Sequence, residues 1–171
     1  MRNPAVSRRR AAAALLGLAL LPGCGYSVRA PYSKSVKTVY VPVFRSISFR
    51  RDVNFQLTEL VIKEIERRTP FKVVGTQEGA DTILDGTINF ADKNIFIENP
   101  FNFPRQLAAT VNASVNWTHN PPTQEELDRG PTVIAENINF VPEIGETSMT
   151  AFYRTNQALA KQIVDMMEQP W

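Results

Sequence analysis

The 171-residue chain has one histidine and one cysteine, and nucleophilic or metal chemistry would have to start from them. A nucleophile needs a base beside it, and a structural metal needs four ligands. His119 stands before Pro121-Pro122 with no second histidine, and Cys24 has no second thiol, so neither grouping can be completed. His119 therefore reads as an ordinary loop residue. Asp81 and Asp85 are the carboxylates whose spacing could serve acid–base work. Four positions apart on a strand-like stretch, they read as turn and solvent-face residues. Gly75 and Gly79 form no phosphate loop, because no helix opening on Lys-Ser or Lys-Thr follows. The residue types point away from an enzyme, and no catalytic residue, metal or cofactor is expected.

Cys24 has another use, set by what precedes it. Residues 1–10, "MRNPAVSRRR", carry four arginines and no acid, and residues 11–21, "AAAALLGLALL", are uninterrupted Ala, Leu and Gly. Eleven helical residues rise roughly 16 Å, about half of the ~30 Å hydrocarbon core. The run is too short for a transmembrane helix but suits the apolar part of an export signal. The alternative, a buried N-terminal helix, would carry three consecutive arginines into the core. Leu21-Pro22-Gly23-Cys24 resembles the lipobox of bacterial lipoproteins, which implies cleavage before Cys24 and acylation of its sulfur and new amino group. Two or three acyl chains, at about 0.8 kcal/mol per buried methylene, hold a protein on a membrane essentially permanently. Ser7-Arg8-Arg9 hints at twin-arginine export, without the apolar continuation of that motif.

The expected organisation is a signal peptide over residues 1–23, a lipidated tether over 24–35 and a single domain over 36–171. The chain has 19 basic and 17 acidic residues, and the four signal arginines leave 15 against 17 after processing. No basic stripe remains for nucleic acid.

Hydrophobic periodicity supplies the elements. Residues 36–44 alternate, with Val39, Val41 and Val43 on one face and Pro42 forcing a short or edge strand. Residues 54–69 switch to helical spacing, with Leu57, Val61 and Ile65 as a stripe widened by Leu60 and Ile62, and Pro70 stops them. Residues 71–74 make a short strand. Residues 82–90 alternate with Leu84, Gly86, Ile88 and Phe90 together. Residues 105–119 put Leu107, Ala109, Val111, Ala113, Val115 and Trp117 on one face and Asn, Ser, Thr and Gln on the other. Residues 119–131, with prolines near both ends, read as an exposed loop. Another strand spans 132–141, with Ile134, Ile138 and Phe140 inward. A last helix spans 148–168, with a stripe of Met149, Phe152, Leu159, Ile163 and Met166. One-sided strands and amphipathic helices predict an α+β two-layer sandwich: two helices on one face of a mostly antiparallel four- to five-stranded sheet.

Two surfaces then lack an obvious use. Residues 106–124 contain no formal charge, whereas exposed sheet faces usually carry Lys or Glu. Asn112 and Asn116 lie on that neutral face, which is either covered by another protein or simply solvated. Residues 94–106 gather Ile95, Phe96, Ile97, Phe101 and Phe103 around a proline-flanked turn. These side chains either fold back over the sheet end or contact a partner wall or acyl chain, and Pro100 and Pro104 favour contact.

A resemblance gathers these features. The lipobox followed by "CGYSVR" is similar to the opening of the lipopolysaccharide-assembly lipoprotein family LptE. The segment "VYVPVFRSISFRRDVNFQLTELVIKEIERRTPFKVV" resembles its first strand, turn, helix and second strand. "GADTILDGTI" and "TAFYRTNQALAKQIVDMMEQPW" are similar to its third strand and closing helix. The resemblance implies a lipid-anchored, periplasm-facing outer-membrane protein that plugs the β-barrel LptD, assists its assembly and contacts lipopolysaccharide. A different outer-membrane lipoprotein of secretion or cell-wall activation, acting as an oligomeric binding module, is the alternative with the same strand–helix–strand logic.

Overall fold

The computed structural model describes residues 32–50, 52–101 and 104–168. The expected signal peptide, Cys24 and Phe103 lie outside the described residues. Six strands and three helices follow in order: β1 (Thr38–Tyr40), β2 (Arg45–Ser46), α1 (Asp52–Arg68), β3 (Lys72–Val74), β4 (Thr82–Glu98), β5 (Pro104–His119), α2 (Gln124–Arg129), β6 (Thr132–Phe140) and α3 (Ser148–Met166). A short 3-10 turn at Pro142–Ile144 leads into α3.

The expected two-layer α+β architecture is present. One sheet runs β3-β1-β4-β5-β6, with β2 also paired to β4. The long neighbours β4, β5 and β6 are antiparallel, whereas the short β1, β2 and β3 join in parallel. Parallel pairing of β1 with β3 needs a crossover, and α1 provides it. Val53, Leu57, Val61 and Ile65, spaced four apart, are all buried. On α3, Phe152, Leu159, Ile163 and Val164 are buried. Each large apolar side chain removed from water contributes roughly 1.5–3 kcal/mol, which fixes the stripes of both helices on one face of the sheet, with α3 over β5 and β6 and α1 alongside α3. The helices run parallel to each other: Asn156 Nδ2, midway along α3, donates to Val53 O and Gln56 Oε1 at the amino end of α1. Near their carboxyl ends Arg68 Nη2 reaches Asp165 at 2.5 Å and Glu168 at 3.1 Å. Tyr32 joins this carboxyl end, donating to Glu168 Oε1 at 3.0 Å and meeting the Phe71 ring edge-on at 5.6 Å.

Four readings of the pattern change in the folded chain. Pro42 ends β1, and the alternation restarts out of phase, so Val43 is 52% exposed and Phe44 takes the buried position. In β4 a bulge between Ile88 and Phe90 inserts one residue and exchanges the faces. Ala91 is therefore buried, and Phe90, grouped by simple alternation with Leu84 and Ile88, is 43% exposed. Met149 sits in the first turn of α3, ahead of the buried Ala151 and Phe152, and is 78% exposed. Finally, the expected loop at 119–131 contains α2. Its start is a reciprocal capping box: Thr123 Oγ1 accepts from Glu126 N, and the Glu126 carboxylate accepts from Thr123 N. The Thr-x-x-Glu spacing of that motif is visible in the sequence.

Among the described residues, Gly86 is the one glycine whose missing side chain admits a neighbour. A Cβ there would stand 3.1 Å from Phe44 Cε2, so the Phe44 ring lies directly on the β4 backbone. Gly86→Val is expected to lower stability by about 1–3 kcal/mol through overpacking. Urea unfolding measures it, and Phe44→Leu in the same chain should restore part of the loss.

Candidate functional site

The β4–β5 hairpin positions every candidate contact residue. Thr82 pairs with His119 at its base, and the two strands stay paired to Glu98 and Pro104. Sixteen residues beyond Thr82 carry β4 roughly 50 Å. From Asp92 to Glu98 every β4 residue is exposed, so this part projects past the helix layer. Along the projection Ile95 is 53%, Phe96 62% and Ile97 48% exposed, and Phe101 at the turn is 79% exposed. Neither Phe96 nor Phe101 folds back onto the core. A second irregularity between Ile95 and Ile97 divides the apolar side chains between the two faces: Ile95 opposes Leu107 on the helix side, and Ile97 opposes Gln106 on the other.

On the face opposite the helices, Asn112 and Asn116 are half-buried. Asn89, the extra residue of the bulge, donates through Nδ2 to Asn112 Oδ1 at 3.1 Å and Ser114 Oγ at 2.7 Å. This amide–hydroxyl chain crosses from β4 to β5 and leaves the remaining amide capacity of Asn112 directed outward. The face is less uniformly neutral than β5 suggests, because Asp85 opposes Asn116 and Asp92 opposes Thr110. Asn137 and Asn139 on β6 continue it, both exposed.

Where the bulge turns Phe90 outward, Ile47, Phe49 and Phe90 line an open groove of about 450 Å³, with Arg50 and Asp92 at its rim. Ile47 is 74% exposed, and Phe49 is fully exposed. The sequence reading passed over this cluster, because Ile47 and Phe49 belong to no periodic segment and Phe90 was placed inward. Arg50 lies 4.5 Å above the Phe152 ring and ties this loop to α3.

The residues first considered for chemistry hold the fold together instead. Asp81 Oδ2 accepts from the amides of Lys37 at 2.8 Å and Thr38 at 2.9 Å. Those backbone donors, with the Thr38 hydroxyl, hold its carboxyl below the usual range. His119 Nδ1 is 2.7 Å from Glu126 Oε1, and the His119 amide also donates to that carboxylate. Burial disfavours charge on Glu126, but the Thr123 amide and the His119 ring and amide outweigh it, and its carboxyl is also lowered. His119 thus anchors α2 to the end of β5, a role its neighbours in sequence do not reveal. Among the described residues no group of three or more His, Cys, Asp or Glu is arranged to hold a metal. No described helix is long and apolar enough to cross a membrane.

A family model described as "LptE: Lipopolysaccharide-assembly" matches residues 36–169. No curated protein sequence matches the chain. Among solved structures, the fold is similar to rare lipoprotein B from Shewanella oneidensis, at 12% identity and TM-score 0.52, covering 77% of this chain and 93% of that one. It is likewise similar to an uncharacterized lipoprotein B from Nitrosomonas europaea, at 13% identity and TM-score 0.52, covering 84% and 86%. The hypothetical protein CT253 from Chlamydia trachomatis shares the fold at 7% identity and TM-score 0.55, covering 78% and 96%. At these identities the structural likeness speaks to the fold alone.

Asp81 and Glu126, with Glu64, where the effect of burial is outweighed by Arg67 and Arg68, give the domain an acid limit. A carboxyl with a depressed folded pKa contributes stability above its unfolded value, about 3.9 for Asp and 4.3 for Glu, and loses it as pH falls through the folded value. Thermal melts should be flat from about pH 7 to 5 and should drop below about pH 4. Asp81→Asn should lower the melting temperature at pH 7 and make the acid slope shallower, as scanning calorimetry would show.

Proposed function

Because the chain belongs to the LptE lipopolysaccharide-assembly family, we propose that it is an outer-membrane lipoprotein held by acyl chains on Cys24, whose domain lodges in an LptD-type β-barrel. In that position it plugs the barrel, assists its assembly and helps pass lipopolysaccharide to the cell surface. The family is one of non-catalytic assembly lipoproteins, and the roles found for His119, Glu126 and Asp81 agree with a binding protein.

The observation that carries the reading is the projecting hairpin. A sandwich with nothing to bind has no use for a ribbon that leaves its helix layer with Ile95, Phe96, Ile97 and Phe101 in the open. An amide-rich face beside it, with Asn112 and Asn116 half-buried, suits a wet enclosure where direct and water-mediated hydrogen bonds hold two proteins. Phe96, Phe101, Asn112 and Asn116 are the contact residues of this reading, and Phe103, outside the described residues, joins them by sequence. Lipopolysaccharide is the cargo. The fold adds a polarity: the described chain begins at Tyr32, against the carboxyl ends of the helices, and the hairpin turn lies at the other end of the sheet.

Attachment is tested first. Cys24→Ser should leave an uncleaved or soluble precursor without incorporated palmitate, and labelling at the unmodified level would sink the lipoprotein reading. The contact surface is tested by cross-linking and mild-detergent co-purification of the barrel. Asn112→Lys with Asn116→Lys should sharply reduce its recovery. So should Phe96→Ser with Phe101→Ser, while each exposed change shifts stability by only about 0.5 kcal/mol. Undiminished recovery with both pairs would mean that these faces look at water. A homo-oligomeric ring in place of a barrel would favour the secretion-module alternative.

A further inference from the structure

Among the described residues, β4 past Ile88 has a strand on one side only. β1 pairs with it at Thr82 and Ile83, and β2 at Thr87 and Ile88. Among the described residues, its remaining pairing is with β5. Ile47 N donates to Ile88 O at 3.1 Å, so Ile88 turns its backbone groups away from β5. Alternation along the unbroken β5 ladder then turns those of Ala91, Lys93 and Ile95 the same way, because they oppose Val111, Ala109 and Leu107. The groove of Ile47, Phe49 and Phe90 opens at the foot of this edge. Natural sheets blunt such edges with proline, bulges or lysines. Here no proline lies between Phe90 and Glu98, the bulges leave residues 90–95 regular, and Lys93 is the single lysine among them.

We propose that an extended segment of the β-rich partner adds to β4 along residues 90–95 as a further strand, seating an apolar side chain in the Ile47–Phe49–Phe90 groove. This rests on the functional reading above and names the edge through which it works. Side chains and charge select the occupant. A second copy of this chain, paired antiparallel with like faces together, sets Asp92 against Asp92 or Lys93 against Lys93. The registers one step further out pair only three residues of each copy within 90–95, with Asp92 against Phe90 in one and Lys93 against Ile95 in the other. Asp92 on the open face and Lys93 on the helix face instead match a strand with a basic or amide residue on the first side and an acidic one on the second. Main-chain bonds supply the affinity and the groove the selectivity in this mode of recognition. The chain's own leading segment joins the domain at Tyr32, whose ring meets Phe71 beside Trp117, and Trp117 opposes Leu84. That end lies roughly 30 Å along β4 from Lys93.

The test uses the full chain co-expressed with the barrel. Lys93→Pro deletes one outward amide and spares the β4–β5 ladder, as an edge position permits, whereas Lys93→Gln keeps the amide. Recovery of the barrel should fall about tenfold or more with Lys93→Pro, the equivalent of one ~1.4 kcal/mol step, and clearly less, about two- to threefold, with Lys93→Gln, which loses only the side-chain charge. Ile47→Ser with Phe49→Ser, both at exposed positions, reads the groove by the same pull-down should the proline variant fail to fold, and a similar fall is expected. Hydrogen exchange at Ala91, Lys93 and Ile95 should be fast in the isolated chain and strongly slowed in the complex. Protection already present in the isolated chain would assign the edge to a second copy or the leading segment and overturn the proposal. Protection induced by lipopolysaccharide micelles without the barrel would overturn it in favour of a lipid site. Equal recovery by the unmodified chain and the edge and groove variants overturns the strand addition alone. No barrel recovered with the unmodified chain overturns the functional reading and the strand addition together.

Discussion

The antiparallel pairing of β4 with β5 is the constraint on which the rest of the molecule depends. Even-numbered residues of β4 before the bulge and odd-numbered residues of β5 face the helices, so Leu84 and Ile88 meet Ala113, Val115 and Trp117 in one layer. The small residues Ala109 and Ala113 let α3 approach closely enough for the Thr155 hydroxyl to reach Ala109 O. The short parallel strands β1, β2 and β3 could not form a sheet alone; they exist as extensions of β4's inner half. A one-residue slip in this pairing would send every buried valine and alanine of β5 to the opposite face.

The same hairpin separates the two ends of the domain. At its base, order is dense: Asp81 pins two β1-side amides, Glu126 ties α2 to His119, and Arg68 bridges α1 to Asp165 and Glu168. Tyr32 is held in this region. At its far end, past the Lys93–Ala109 pair, the helices no longer bury the ribbon and apolar side chains meet solvent. The bulge at Asn89 prepares the transition, because the inserted residue both moves Phe90 outward and connects Asn112 and Ser114. A solvent-facing surface is thereby assembled from residues that remain largely outside the core, so its composition can vary with little effect on folding.

This division suits a lipoprotein of lipopolysaccharide assembly. A surface that must fit within another protein gains from neutral hydrogen-bonding groups, since buried charges carry a desolvation cost that partners rarely recover fully. Asn and Ser supply donors and acceptors without it. The exposed aromatics of the hairpin supply the apolar component and lie on a rigid two-stranded support, which limits the ordering cost on association.

The chain's periodicities by themselves determined which residues form α1, β5, β6 and most of α3, because 3.6- and 2-residue repeats of apolar side chains can be buried in only one way. They also determined the two-layer architecture, since amphipathic helices and one-sided strands must cover each other. The neutral face of β5 and the aromatic turn were legible for the same reason: they are absences and excesses of a residue type along a continuous segment. Other features were decided only in three dimensions. The bulge that exposes Phe90 is a register choice between two strands, and Val43 and Phe44 exchange roles because Pro42 breaks a ladder whose partner is distant in sequence. The groove of Ile47, Phe49 and Phe90 and the unpaired edge of β4 come from where β2 stops against β4. The Glu126 capping box was readable in the sequence, but its bond to His119 was not. Burial of a polar group, and the availability of a strand's outer amides, depend on neighbours that tertiary pairing supplies.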